Sequence, residues 1–411
     1  MKTFNLIITC MLFFVSCKNK EKSIIDTDVI DIEYGLQNLT QLKTSDFGKT
    51  VRYIPLETTN DGLVGNNPII KVLGDFIVME FQNSCLLFDK NDGKFISEIG
   101  RFGQGPDEFT SNFSWADEKE EFLYFQRRPN QLLKYDMKGK FSGNVKFATS
   151  NLASYYLITD SVIIGYFGDQ INSTNPFALG FFDVNGNLND TVSQLFPKKP
   201  IEFDMIANIS VLKNHNMYGN WTKTGIILIN FKDETRQITT PNPARVWNYK
   251  GNIRFKEDFV DTLYTVSDKN LIPSIVFNTG IYHWPAEESR SIKNAKDRIY
   301  ISDVSENEKS VFFQCIKGLF ADESILYNGL YNKQTGSTKL SKYSDEIEDD
   351  LTQFMPFTPF GISTAGEFVS YVEAYKAIEW LEKHPEAKNN DKLSFLKNLD
   401  EEMNPVIILV E

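Results

Sequence analysis

LLFDKNDGKF (86–95), LLKYDMKGKF (132–141) and GFFDVNGNL (180–188) are one pattern written three times. Each runs from an apolar stretch through an aspartate and a tight turn to a glycine and a second stretch. Gly93, Gly139 and Gly186 stand 46 and 47 residues apart. A glycine at the same place in every turn marks a backbone position that needs positive φ, and Asp or Asn beside it clasps the turn, so each motif reads as a β-hairpin. Upstream of each lies a further β-type run: DFIVMEF (75–81), EFLYFQ (121–126) and DSVIIGYF (160–167).

Adding one inner strand makes each unit a four-stranded antiparallel meander. Repeats of about 40 to 50 residues built from four strands are the signature of β-propeller blades, which face one another around a channel and leave only short edges. Later units are more degenerate but keep the rhythm: MYGNW (217–221) with GIILINF (225–231), IRFKEDF (253–259) with TLYTV (262–266) and PSIVFN (273–278), then SVFFQCIKG (310–318) with ILYNGLYN (325–332). The expected fold is all-β, a propeller of six blades, with seven admitted by the strand count. Phe 33 and Tyr 17 suit half-buried pleated surfaces.

The turn DKNDG (89–93) has a superficial likeness to a calcium loop. It is not read as one, because oxygen ligands would have to alternate at positions 1, 3 and 5 before a glycine at about position 6, and here the glycine comes too early.

The texture changes after Glu346. EFVSYVEAYKAIEWLEKH (367–384) runs from a strand into an amphipathic helix, with Phe368, Tyr371, Val372, Tyr375 and Ile378 as its apolar stripe. DKLSFLKNLDEEM (391–403) follows as a second short helix, so a small helical insertion is expected at about 372–403. The chain ends in the apolar strand PVIILVE (405–411). Its expected partner is VRYIPLE (51–57), since pairing strands from both chain ends removes the last open edge of a ring.

The N-terminus carries an address. Lys2 gives a positive start, residues 6–15 an apolar stretch too short for a permanent span of about 20 residues, and Ser16-Cys17 a small residue before cysteine. The expected organisation is a signal peptide over 1–16, a tether over 17–45 and one propeller domain over 46–411. Without residues 1–16 the chain loses one lysine, leaving 42 basic against 55 acidic residues, a net −13. With Arg127 and Arg128 as its one adjacent arginine pair, the chain has no basic stripe for nucleic acid.

FVSC (14–17) resembles the lipobox of bacterial lipoproteins, in which the cysteine receives a diacylglycerol and becomes the mature N-terminus. The body is similar to the six-bladed β-propeller lipoproteins of bacterial envelopes, relatives of the NHL-repeat propellers. The likeness is carried by IPLETT (54–59), IGRFGQGPDEF (99–109), DTLYTV (261–266) and NPVIILVE (404–411). It implies an envelope location, lipid on Cys17 as the membrane contact, anchorage in the outer membrane, and no catalytic residues to carry over.

Candidate chemistry is sparse. Gly100, Gly103 and Gly105 follow a strand, but Pro106 and the residues after it do not open a helix that could hold phosphate. His215, His283 and His384 have no second ligand at metal spacing, and no G-x-S-x-G elbow occurs. Cys85 and Cys315 sit in apolar runs as small hydrophobes. Trp115, Trp221, Trp247 and Trp284 could stack on sugars, but packing between blades is the commoner use.

No cofactor or metal site is assigned. The expectation is a non-catalytic binding or assembly module for a protein, peptide or glycan, with a metal-dependent envelope hydrolase or lyase as the alternative. Strand topology places the linker 100–109 and the loop RRPN (127–130) on one face, away from the Asp-to-Gly hairpins. Arg101, Asp107, Glu108, Arg127 and Arg128 are therefore the candidate ligand-binding residues, joined on that face by the long loop at 168–176.

Overall fold

Strand, turn, strand repeated along the chain produces seven sheets among the described residues, almost wholly antiparallel. The computed structural model describes residues 27–411 apart from 112, 150, 169–175, 197–200, 212–225, 240–244, 294 and 322. Cys17, His215, Trp221 and most of the 168–176 loop therefore lie outside the described residues.

Six sheets have four meander strands each. In the first these are Ile69–Leu73, Phe76–Phe81, Ser84–Asp89 and Phe95–Glu98. The second spans 114–146, the third 155–193, the fourth 246–278 and the fifth 299–342. The sixth combines Gly361–Ile362, Phe368–Val372 and Val406–Val410 with Val51–Pro55 from the other end of the chain. Middle strands covered on both faces read as continuous apolar runs, as in Ile163–Tyr166, whereas the outer strand Phe141–Lys146 alternates between half-buried and exposed.

The cores define the architecture. One hydrophobic cluster joins the sixth sheet to the first, and others join first to second, second to third, third to fourth, fourth to fifth and fifth to sixth. The six sheets thus pack in a closed cycle, as propeller blades do. The seventh, Ile206–Val211, Ile227–Phe231 and Arg236–Thr239, is outside this cycle. Its Leu228 and Ile238 pack on Trp284, Phe320 and Tyr300, at the ends of the fourth and fifth sheets. GIILINF keeps the repeat's rhythm in sequence, but the third and fourth sheets meet directly in their own core.

The repeated glycines meet two demands at once. Gly93, Gly139 and Gly186 have φ of 75°, 81° and 86°. A Cβ on each would also collide with a backbone carbonyl oxygen of the preceding sheet's outer strand: that of Pro55, Glu98 and Lys146 in turn. The aspartates are occupied as well. Asp89, Asp136 and Asp183 accept the backbone N–H two residues on, at 2.7, 2.9 and 2.9 Å. Each hairpin is thus a clasped turn that seats on the neighbouring sheet.

Closure follows the expected pairing. Val51 lies opposite Val410, and the register continues to Pro55 opposite Val406. The helical insertion also appears, as a helix Ala374–Lys383 with 3-10 segments Pro385–Asn389 and Asp391–Asn398. Its buried stripe is Ala374, Ala377 and Leu381, while Tyr375 faces solvent, because Phe368–Val372 is a strand and helical periodicity starts only at 374.

The tether expected through residue 45 does not describe its second half. Asp28–Asp31 is a strand running parallel to Asn270–Asn278 as a fifth strand of the fourth sheet, and helices follow at Ile32–Gln37 and Thr44–Phe47. Ile30, Ile32 and Leu42 are fully buried. The physical reason is hydrophobic: three apolar side chains spread through a polar stretch suffice to fasten it along the rim.

Candidate functional site

The loop between the first and second sheets begins where Gly100, at φ 64°, turns the chain out of its strand. Phe109 is fully buried and stacks on Phe125 with ring centroids 4.5 Å apart, pinning the far end. Between these points the backbone folds on itself, with the Gly103 N–H donating to the Phe109 carbonyl at 3.0 Å and the Phe109 N–H to that of Arg101 at 2.9 Å. Tyr135 fastens the loop to the second sheet through a 2.5 Å bond from its hydroxyl to the Asp107 carbonyl.

Glu108 occupies the hollow of this loop. Its Oε2 accepts the Gly105 N–H at 2.7 Å, and any side chain at Gly103 or Gly105 would run into its carboxylate. The two glycines thus enclose an anion, and the anion is the protein's own.

RRPN follows a strand of the second sheet and adjoins the loop. Arg128 donates its backbone N–H to Thr110 Oγ1 at 2.9 Å, and Arg127 reaches the Gln104 carbonyl at 3.4 Å. The structure therefore brings Arg101, Asp107, Glu108, Arg127 and Arg128 into one junction. Gly139 and the 127–130 loop cap opposite ends of the same strand, Gln131–Asp136, as topology required. Arg101 and Arg128 are exposed and Arg127 half-buried. Among the described residues none of the three arginines forms an ion pair. Asp107 is exposed, and among the described residues neither Asp107 nor Glu108 pairs with an arginine.

Two buried polar clusters escaped the sequence reading. Lys71 and Glu80 lie on the first two strands of the first sheet, with Nζ 2.5 Å from Oε1, and the same oxygen accepts the Ser114 N–H at 2.9 Å. Glu80 is fully buried. Beside it, burial and the Glu80 charge push the Tyr155 hydroxyl up to about 12. The available signal was a lone charge inside an apolar run, as in IIKVL and FIVMEF.

The second cluster lies beneath the seventh sheet. Arg245 pairs with Asp258, and the Tyr300 hydroxyl donates to Asp258 at 2.6 Å. Burial and then the Arg245 charge lower the neighbouring Lys256 to about 8. Both clusters are paired charges inside packed sheets, an arrangement that specifies position more than it binds.

A cavity of about 520 Å³ is lined by Gln41, Asp345, Glu346, Asp350 and Phe354 among others. Asp349, in the same wall, is committed to the N–H groups of Leu351, Thr352 and Phe354, each at 3.1 Å. The tryptophan platforms are partly internal. Trp115 stands edge-on to Tyr156 at 5.1 Å, and Trp284 to Phe320 at 5.2 Å. His283 bonds Asp261 at 2.8 Å, and His384 stacks on Trp380. Cys85 and Cys315 are buried free thiols. Among the described residues no group of three or more His, Cys, Asp and Glu side chains is placed to hold a metal, and no helix is long and apolar enough to cross a membrane.

Among solved structures, the chain is similar to a protein of Bacteroides fragilis described as exported. The TM-score is 0.61 at 16% identity, covering 94% of this chain and 99% of that one. BamB from Moraxella catarrhalis is another match, at TM-score 0.34 and 9% identity, over 88% of this chain and 98% of that one. No curated protein matches the sequence. The family match spans residues 27–411, nearly everything after the N-terminal segment, so the chain belongs to the family described as domain of unknown function DUF4934.

Proposed function

We propose that this protein is a lipid-anchored envelope protein whose ring serves as a non-catalytic binding module for an anionic partner, a protein, peptide or glycan bearing carboxylate or phosphate groups. The observation that carries the reading is the junction of the first and second sheets. There Arg101, Arg127 and Arg128 stand together without an ion pair among the described residues, in a chain whose net charge is −12. Three arginines against the two acids Asp107 and Glu108 leave this loop face a local positive excess in an acidic chain, and guanidinium groups suit bidentate recognition of carboxylate and phosphate. Binding residues concentrate in loops held by a rigid scaffold, and here the scaffold is the cycle of packed sheets.

Glu108 acts within the site as a positioning residue. By filling the glycine hollow it excludes an external anion from the backbone amides and leaves the arginine side chains as the reading elements. Anchorage through Cys17 rests on the FVSC segment.

Salt dependence tests the reading. Immobilised protein is titrated with an acidic polysaccharide and with a glutamate-rich peptide at about 50 and 200 mM salt. At least one anionic probe should bind and weaken with salt, as exposed charge attraction does when the screening length shortens from about 14 to 7 Å. Absence of binding by both, or binding indifferent to salt, would contradict an anionic partner.

A further inference from the structure

The described N-terminal segment runs as a strap past three of the sheets. Asp28–Asp31 lies along the outer edge of the fourth sheet, and the strap continues past the fifth sheet through the Asp31 N–H on Thr338 at 3.2 Å and the Thr40 N–H on the Leu340 carbonyl at 2.8 Å. It reaches the sixth sheet where the Lys49 N–H meets the Glu411 carbonyl at 2.6 Å. Any tether therefore ends no later than Asp28. The eleven residue-to-residue steps from Cys17 to Asp28 span at most about 40 Å when fully extended, against about 100 Å for a tether running to residue 45.

Three large apolar side chains stand exposed on the rim near that attachment point, among the acids Asp28, Asp31 and Glu33. Ile281 is 74% exposed, the highest value among the large hydrophobic side chains described, Tyr34 is 58% exposed and Val29 51%. The three are neighbours for a topological reason. Asp31 lies opposite Asn278 in the parallel pair, so the helix Ile32–Gln37 and the turn Gly280–Tyr282 leave that edge side by side, joined by the Ile281 N–H on Glu33 at 3.3 Å.

We propose that this rim, with Ile281, Tyr34 and Val29, docks on the lipid surface to which Cys17 is attached. The inference rests on the anchorage of Cys17. The occupant is lipid because the chain emerging here is too short to carry the rim far from the bilayer, and aliphatic and tyrosine side chains are the types that enter the headgroup region. In a cycle of six sheets the fourth lies opposite the first. Docking by the fourth sheet's edge therefore holds the arginine junction on the side of the ring away from the membrane.

The test uses the lipidated full chain reconstituted into phosphatidylethanolamine and phosphatidylglycerol vesicles containing brominated lipid. Ile281→Cys, and separately Tyr34→Cys, carry an environment-sensitive dye, with Lys138→Cys on a hairpin of the second sheet as the reference. Cys85 and Cys315 are buried and stay unlabelled. Dyes at 281 and 34 should be quenched at least about twofold more than the dye at 138, because side chains entering the interface reach the acyl boundary. Chain that floats with the vesicles while all three dyes are quenched alike overturns the docking and leaves the anchor standing. Failure of the full chain to float with the vesicles removes the anchor and the docking with it.

Discussion

The closing junction of the ring and the loop face of the junction between the first and second sheets treat charge in opposite ways. Where the sixth sheet meets the first, Glu367 takes Lys90 at 2.6 Å and Arg52 at 3.6 Å, and Ser363 donates to the same carboxylate at 2.7 Å. Asn404 there makes four hydrogen bonds: its side-chain amide donates to the Glu57 and Gly62 carbonyls, its side-chain oxygen accepts the Val64 N–H, and its backbone N–H donates to the Thr58 hydroxyl. Where the first sheet meets the second, the Lys71 and Glu80 charges, with Ser114, are likewise paired internally, but at the loop face of that junction three arginines remain without an ion pair among the described residues while Glu108 serves its own loop. A junction that exists to hold the ring shut satisfies its charges internally. A loop face that leaves its arginines open has the character the proposed binding role requires.

The largest effect expected from this contrast is at the closing junction. Val406, Ile407, Ile408, Leu409 and Val410 are all buried. At about 1.5–3 kcal/mol for each buried side chain, their loss matches a domain's whole net stability of about 5–15 kcal/mol. Deletion of residues 406–411 should give aggregated chain with no cooperative melting transition. A truncated protein that melts like the full chain would show that the termini do not close the ring.

Asn404→Ala ranks next. It strands the buried Gly62 carbonyl, at a cost of about 1–3 kcal/mol, and leaves the part-buried Glu57 carbonyl and Val64 N–H without this partner, so the melting temperature should fall clearly with the fold retained. An unchanged transition in differential scanning calorimetry would mean that the linker holds itself.

Much of this closing architecture was legible in the sequence. The hairpins announced themselves because one residue type, glycine, was needed at every turn, and the terminal strand VIILV could not stand without a partner. The strand Asp28–Asp31 was not legible: DVID is short and acidic, and only the neighbouring edge of the fourth sheet makes it a strand. The seventh sheet kept the repeat spacing, yet nothing in GIILINF reveals whether its faces meet two blades or one side of the ring. At the arginine junction, topology gave the grouping of Arg101, Arg127 and Arg128, but the capture of Glu108 by Gly105 depends on the path of the loop backbone.

A smaller effect concerns acid. Burial disfavours the ionised form of Glu367, but bonds from Lys90 and Ser363 with the Lys90 and Arg52 charges outweigh it and hold the carboxyl below its usual range. Its contribution to stability is therefore present above the unfolded carboxyl value and lost as pH falls through the lower folded one. Glu367→Gln should be less stable than the parent at pH 7, with the gap narrowing in acid. A gap constant from pH 7 into the range where carboxylates protonate would exclude this role.

The smallest effect on stability belongs to the open junction. Arg127→Ala with Arg128→Ala removes side chains that hold no ion pair among the described residues, so melting should change by no more than about 0.5 kcal/mol per substitution. A larger loss would make the arginines part of the closure chemistry and erase the contrast.

The most direct measurement is the affinity of this double variant, beside Arg101→Ala, for the anionic probe that the parent binds in low salt. Loss of roughly 1.5–3 kcal/mol of binding energy for each charged hydrogen bond removed, with the melting transition unmoved, is the predicted result. Affinity equal to that of the parent would contradict the assignment of this junction as the binding face.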